Sequence, residues 1–343
     1  MVYVIITVFI ALSVFVIVPQ KSNINKSICF LSIGFFLVLI AGFRNDDVDR
    51  DYKNYLLAYY SNYETTRFEP TLTIIVTFVK YTFNNPIFLF VIYAIIGVSL
   101  KFVAIKQLSK LYLLSALLYV SNFFILQEMT QIRVGIASGI LLLCIKPLYE
   151  RNFKNFFFLT LIAISFHYSS VIILPLWFLN PFSLKRNLYF SIVPLSYLMV
   201  FCGLTLGFLI ERLPIEQVQK LYTMYKLQIE NGEGDVINLF NSLQVLRCCI
   251  LLFLIYKIDI LSLRNRYSIL LVKIYTIALS CFVIFSDIPV VSFRISELLS
   301  IVEIVLIPFL LYVFKEKKIA VLFPITIGLF MLLINLFYIK LIL

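Results

Sequence analysis

Apolar runs recur along almost the whole chain, at roughly 2–18, 27–43, 70–83, 86–105, 111–127, 132–149, 155–179, 188–210, 243–257, 267–286, 295–314 and 319–339. No other feature narrows the fold as far. In hydrocarbon no water satisfies the backbone, so each run must pair its own N–H and C=O groups, which a helix does within one segment. The runs are continuous instead of alternating with period two, which argues against a β-barrel. A crossing takes about 20 residues, so the expectation is an all-α, polytopic membrane protein of about 10–12 transmembrane helices. With 62% hydrophobic residues and only 14% charged, the chain lacks the polar surface of a soluble domain of its length. Nothing between the runs is long enough to fold alone, and no short-period repeat is evident, so residues 1–343 read as one membrane domain. The first run has neither a basic leader nor a small-residue cleavage site and reads as a first membrane helix.

The net charge of +11 does not point to nucleic acid, because the basic residues sit in short turns between apolar runs. One set of turns holds Lys21, Lys26, Lys106, Lys110, Lys146, Arg151, Lys154, Lys185, Arg186, Lys257, Arg264, Arg266, Lys315, Lys317 and Lys318, against only Glu150, Asp259 and Glu316. The positive-inside rule makes that set cytoplasmic. Strict alternation does not give this result. It follows if 70–83 lies along the outer surface or re-enters, and if 155–179 is a broken pair of short helices around His167. Two larger extracytoplasmic loops then run at about 44–69 and 211–242. In each a short surface helix is expected, the first carrying Tyr52, Tyr55, Tyr59 and Tyr60 near helical spacing and the second preceding the NGEGD turn at 231–235. The six cysteines lie in or beside apolar runs without ligand spacing and read as small buried apolar residues. With a single histidine in the chain, no metal site and no cofactor is expected.

The stretch from Glu128 to Ser170 departs from membrane filler. It reads EMTQIRVGIASG, then an apolar run, a basic turn, and FHYSS inside another apolar run. It holds Arg133 and the only histidine, His167. Ionisable groups among apolar residues are costly in lipid and mark function more often than not. The structural readings stand beside this one. His167 serves as polar glue between helices, Arg133 pairs with Glu128 or Glu297, the tyrosines form an interfacial belt, and Gly135-x-x-x-Gly139 allows close helix packing.

Arg44, DYKNY at 51–55, FEP at 68–70, QIRVGIA at 131–137, IAISFHYSS at 162–170 and RISELLSIVEI from Arg294 occur in an order and spacing that resembles the EpsG-like family, which is similar to Wzy-type bacterial polysaccharide polymerases. The approach to Asp51-Tyr52 is Asp49-Arg50, without the glycine common in that family. The resemblance spans about residues 30–310. It implies a glycosyltransferase of the bacterial cytoplasmic membrane that joins repeat units linked to undecaprenyl diphosphate at the outer face. Donor and acceptor would both be lipid-linked glycans, with membrane lipid and a chain-length regulator as further candidate partners.

Such a reaction needs cations for a diphosphate leaving group and an acceptor for a hydroxyl proton. Arginine suits the first task because its fork matches phosphate oxygens and keeps its charge. Histidine or a carboxylate suits the second. The candidate catalytic residues are therefore His167, Arg133, Arg294 and Asp51. Arg44, Tyr52, Tyr55, Glu69, Glu128, Gln131 and Glu297 are candidates for binding substrate. A lipid-linked glycan flippase or other transporter is the alternative, but it would spread polar residues through the midplane in inverted repeats. A membrane acyltransferase that modifies polysaccharide is another, and so is a non-catalytic scaffold.

Overall fold

The computed structural model describes residues 1–18, 23–46, 48–49, 51–61, 69–212, 219–220, 222–224, 226–227, 231 and 237–342. Lys21, Arg50, Phe68, most of the second expected surface helix and the NGEGD turn beyond Asn231 lie outside them. Among the described residues the chain is helical, with no strand and one isolated bridge, between Asp49 and Ile342.

Among the described residues six helices are long and apolar enough to cross a membrane: α2 (Ile24–Gly42), α5 (Ile87–Leu108), α6 (Tyr112–Thr130), α7 (Ile132–Tyr149), α14 (Pro289–Tyr312) and α15 (Ile319–Tyr338). Shorter apolar helices run between them: α1 (Val2–Ile17), α8 (Phe153–Phe166), α11 (Ser242–Tyr256) and α13 (Ser268–Ile284). The remaining elements are α3 (Tyr52–Tyr60), α4 (Pro70–Thr82), α9 (Arg186–Phe201), α10 (Leu206–Ile210) and α12 (Ile258–Arg264). The protein is an all-α, multi-pass membrane protein. Local sequence sets several boundaries. Pro70 opens α4, where its missing N–H is harmless. Asn152 and Asn241 cap α8 and α11 by accepting from Asn155 N (3.2 Å) and Gln244 N (2.9 Å).

The two irregular runs behave as the charge pattern requires. At the end of α8, His167 is extended (φ −155°, ψ 118°), and the chain continues as a 3₁₀ segment, Tyr168–Phe178. That segment turns back. Arg151 donates to Trp177 O and Leu179 O, both at 2.5 Å, and Lys273 donates to Asn180 O at 2.7 Å. Both ends of the 155–179 run therefore meet the basic rim, with His167 at the apex. Helix α4 starts beside that apex, where Thr71 donates to Ser165 O at 2.7 Å. It ends one short turn before α5, whose first residues share the rim opposite the basic one with the 44–61 loop. There Phe90 stacks on Tyr52 at 4.1 Å.

The interior is built on α5, α6, α7 and α14. Helix α5 packs closely along α7. Gly139 of α7 makes this possible, because a Cβ there would press on Leu100 of α5, while Gly97 of α5 leaves room for the Glu128 carboxylate from α6. Over Tyr119–Thr130, α6 loosens into a π-helix, buried throughout, which turns Asn122, Gln127 and Glu128 inward. Glu128 is paired with Lys101, and the Lys101 ammonium also donates to Gly135 O at 2.5 Å. A second buried cluster centres on Glu303. Its carboxylate takes both arms of Arg247 (3.0 Å each), Asn122 Nδ2 (2.7 Å) and the Tyr275 hydroxyl (3.0 Å). Asn335 then donates to Asn122 Oδ1 at 2.9 Å. Buried charges are tolerated when paired and hydrogen-bonded, and this cluster ties five helices together. The cysteines depart from the expectation of uniform burial: Cys144 and Cys281 are buried, whereas Cys202 and Cys249 are exposed.

Candidate active site

Glu69 is the hub of a cluster recessed beneath the loop rim. It sits at the N-cap of α4, where the extended backbone (φ −64°, ψ 145°) aims its side chain at the α8 apex. One carboxylate oxygen, Oε1, lies 3.0 Å from His167 Nδ1. The other, Oε2, accepts from Arg133 Nη1 in the first turn of α7. Paired with Arg133, Glu69 is held as a carboxylate that only accepts, so His167 Nδ1 donates to it. In the neutral ring the lone pair is then on Nε2, which is buried and has no hydrogen-bond partner among the described residues. Ser170 Oγ, one turn further on, is likewise buried and unpartnered among them.

The tyrosine helix α3 roofs this cluster. Tyr52, Tyr55 and Tyr59 face down and are buried, while Tyr60 is 68% exposed. Arg133 lies under the Tyr55 ring, 5.8 Å from its centroid. Tyr93, from α5, stands edge-on to Phe166 beside the apex. The start of α7 lies below the start of α5. Gly139 is level with Leu100 of α5, and at 1.5 Å per residue this leaves α7 beginning roughly 9 Å deeper. Arg133, Glu69 and His167 therefore meet inside the helical layer, where lower polarity strengthens charge interactions. Two helix N-termini, those of α4 and α7, open onto this recess and favour negative charge there.

Four sequence candidates converge here: His167, Arg133, Glu69 and Tyr55. Gln131 and Glu297 form a neighbouring pair, with Gln131 Nε2 donating to Glu297 Oε2 at 3.0 Å. Arg294, one turn before Glu297 on α14, is exposed and has no ion-pair partner among the described residues. Asp51 stands at the start of α3, where Asn54 donates to it weakly at 3.4 Å.

Three candidates have other partners. Arg44 is buried, donating to Asp49 Oδ2 at 2.7 Å and Ala41 O at 2.6 Å beneath Phe90 and Tyr52, so it fastens the loop to α2 and α5. Tyr52 is engaged in that same stack. Glu128 is enclosed with Lys101, away from the recess. Arg133 pairs with Glu69, not with Glu128 or Glu297, because the break at His167 brings the α4 terminus against it. Sequence reasoning passed over Tyr93, Lys101 and Arg247. Lys101 and Arg247 carry the same signal as Arg133, a lone cation within an apolar run.

A family model for the EpsG family matches residues 27–343. The chain belongs to the EpsG family. This is the family of Wzy-like exopolysaccharide polymerases, so the chain is a polysaccharide-polymerase-like membrane protein. No curated protein and no solved structure matches the chain. Among the described residues no group of His, Cys, Asp and Glu is arranged to hold a metal ion.

Proposed function

We propose that this EpsG protein joins oligosaccharide repeat units carried on undecaprenyl diphosphate, at the outer face of the bacterial cytoplasmic membrane. The observation that carries this reading is the Glu69 bridge, which holds His167 with Nε2 unpaired and keeps Arg133 beside it.

His167 Nε2 takes the proton from the acceptor sugar hydroxyl as its oxygen bonds to the anomeric carbon of the donor glycan. The bond from that carbon to the diphosphate breaks, and its electron pair leaves on the diphosphate oxygen. Glu69 fixes the ring and steadies the imidazolium that forms. Arg133, with the α4 and α7 N-termini, offsets charge developing on the leaving group in a recess of low polarity. Arg294, exposed near the recess, is the second cation for the diphosphate. Acceptor binding belongs to the polar groups beside them, Gln131 and Glu297 among them, and the prenyl tails stay in the bilayer. The basic turns on the opposite rim support a recess that opens to the outer side.

The test is a deletion strain complemented with wild type or with His167→Ala. With wild type, long-chain polysaccharide is restored. With the variant, single repeat units are expected while lipid-linked units still reach the outer leaflet. Lipid-linked units held on the inner leaflet would indicate a flippase instead.

A further inference from the structure

The basic rim carries a cleft that the proposed chemistry does not use. It measures about 690 Å³ and lies between the α5–α6 turn and the α12–α13 turn, with Tyr312 of α14 on one wall. Lys106, Lys110, Arg264 and Arg266 line it, and among the described residues no carboxylate does. Arg266 has neighbours of its own: it lies over Tyr149 and Tyr267 and 3.8 Å from Glu150. Lys106, Lys110 and Arg264 have no ion-pair partner among the described residues. The walls are tied together, since Asn265 Nδ2 donates to Leu108 O at 2.7 Å and Ser109 Oγ accepts from Leu111 N at 2.9 Å. A fixed cleft that holds like charges together favours an anion among them.

A second feature narrows the anion. Lys110 and Tyr112, joined by Lys26, also line the mouth of a groove of about 190 Å³ whose other walls are apolar, among them Leu111, Leu114, Leu311 and Val321. Past Phe15 it meets a further apolar groove, about 450 Å³, between α1 and α2. A free phosphate has no use for this apolar extension, and an acidic peptide would not fill it. The geometry points to a binding site for an anionic phospholipid of the leaflet at this rim. Its phosphate lies among Lys106, Lys110 and Arg264, and an acyl chain runs along the groove past Leu111 and Val321. Basic pockets between membrane helices are suited to such headgroups.

The experiment measures lipid binding to the full chain in neutral detergent, by native mass spectrometry and by thermal unfolding. The probes are phosphatidylglycerol, phosphatidylcholine and inorganic phosphate. Wild type is expected to retain phosphatidylglycerol and unfold at higher temperature with it, and to respond to neither other probe. The triple variant Lys106→Gln/Lys110→Gln/Arg264→Gln is expected to bind phosphatidylglycerol roughly 100-fold more weakly. Lys154→Gln/Lys185→Gln, on the same rim outside the cleft, is expected to bind as wild type does. Val321→Trp, which fills the groove, is expected to weaken the lipid while leaving the cations in place. Equal binding by the triple variant, equal loss in the rim control, or an equal response to phosphatidylcholine would overturn the site. An equal response to phosphate would make it a site for a free anion and overturn the lipid assignment.

Discussion

Glu69 and His167, far apart in sequence, meet at 3.0 Å between Oε1 and Nδ1, with the other carboxylate oxygen held by Arg133. Replacing Glu69 by Gln keeps the shape but removes the charge that orients the ring. Polymer formation is expected to fall roughly 100- to 10,000-fold, as for loss of a proton acceptor. His167→Ala is expected to fall as far, and the double variant no further, because the two act as one unit. Chain length scaled to protein level checks this, and additive losses would separate their roles.

The Arg133 guanidinium serves two neighbours at once, pairing with Glu69 and lying flat under the Tyr55 ring. A lysine supplies a point charge that cannot serve both and still meet a diphosphate. Arg133→Lys is therefore expected to lose most polymer while remaining folded, and Arg133→Ala and Arg294→Ala to lose it entirely. Immunoblots alongside polysaccharide gels measure both quantities.

Arg44 should behave differently. Its removal strands buried Asp49, a cost of roughly 3–5 kcal/mol. Arg44→Ala is expected to lower the amount of folded protein, with polymer falling in proportion. Thermal unfolding in detergent distinguishes this from a catalytic defect, which leaves stability unchanged.

The Glu303 cluster gives a matched pair of tests. Arg247→Ala leaves Glu303 buried without its cation and is expected to destabilise by roughly 3–5 kcal/mol. Replacing both, as Arg247→Met/Glu303→Leu, removes the stranded charge and is expected to recover much of that loss. Unfolding midpoints of the three proteins test it.

How much of this could be read beforehand depended on the residue. His167 and Arg133 stand out because lipid makes lone ionisable groups conspicuous, and the distribution of basic turns calls for a break at the histidine. Which carboxylate would meet Arg133 was not legible. Glu69 lies in a different loop, and only the folded apex brings it near. Arg44 was read as a substrate ligand because its partner, Asp49, sits in a loop whose conformation has no sequence period. Arg247 and Lys101 gave the same signal as Arg133, but their partners, Glu303 and Glu128, come from other helices, so only packing distinguishes an enclosed pair from an open site.

The most direct measurement reconstitutes the purified protein in vesicles with its undecaprenyl-diphosphate-linked repeat unit and follows glycan length together with released polyprenyl diphosphate. Wild type is expected to lengthen the glycan and release one polyprenyl diphosphate per bond formed, and Glu69→Gln, equally folded, to do neither. Wild-type chain lengths from Glu69→Gln and His167→Ala would contradict the account.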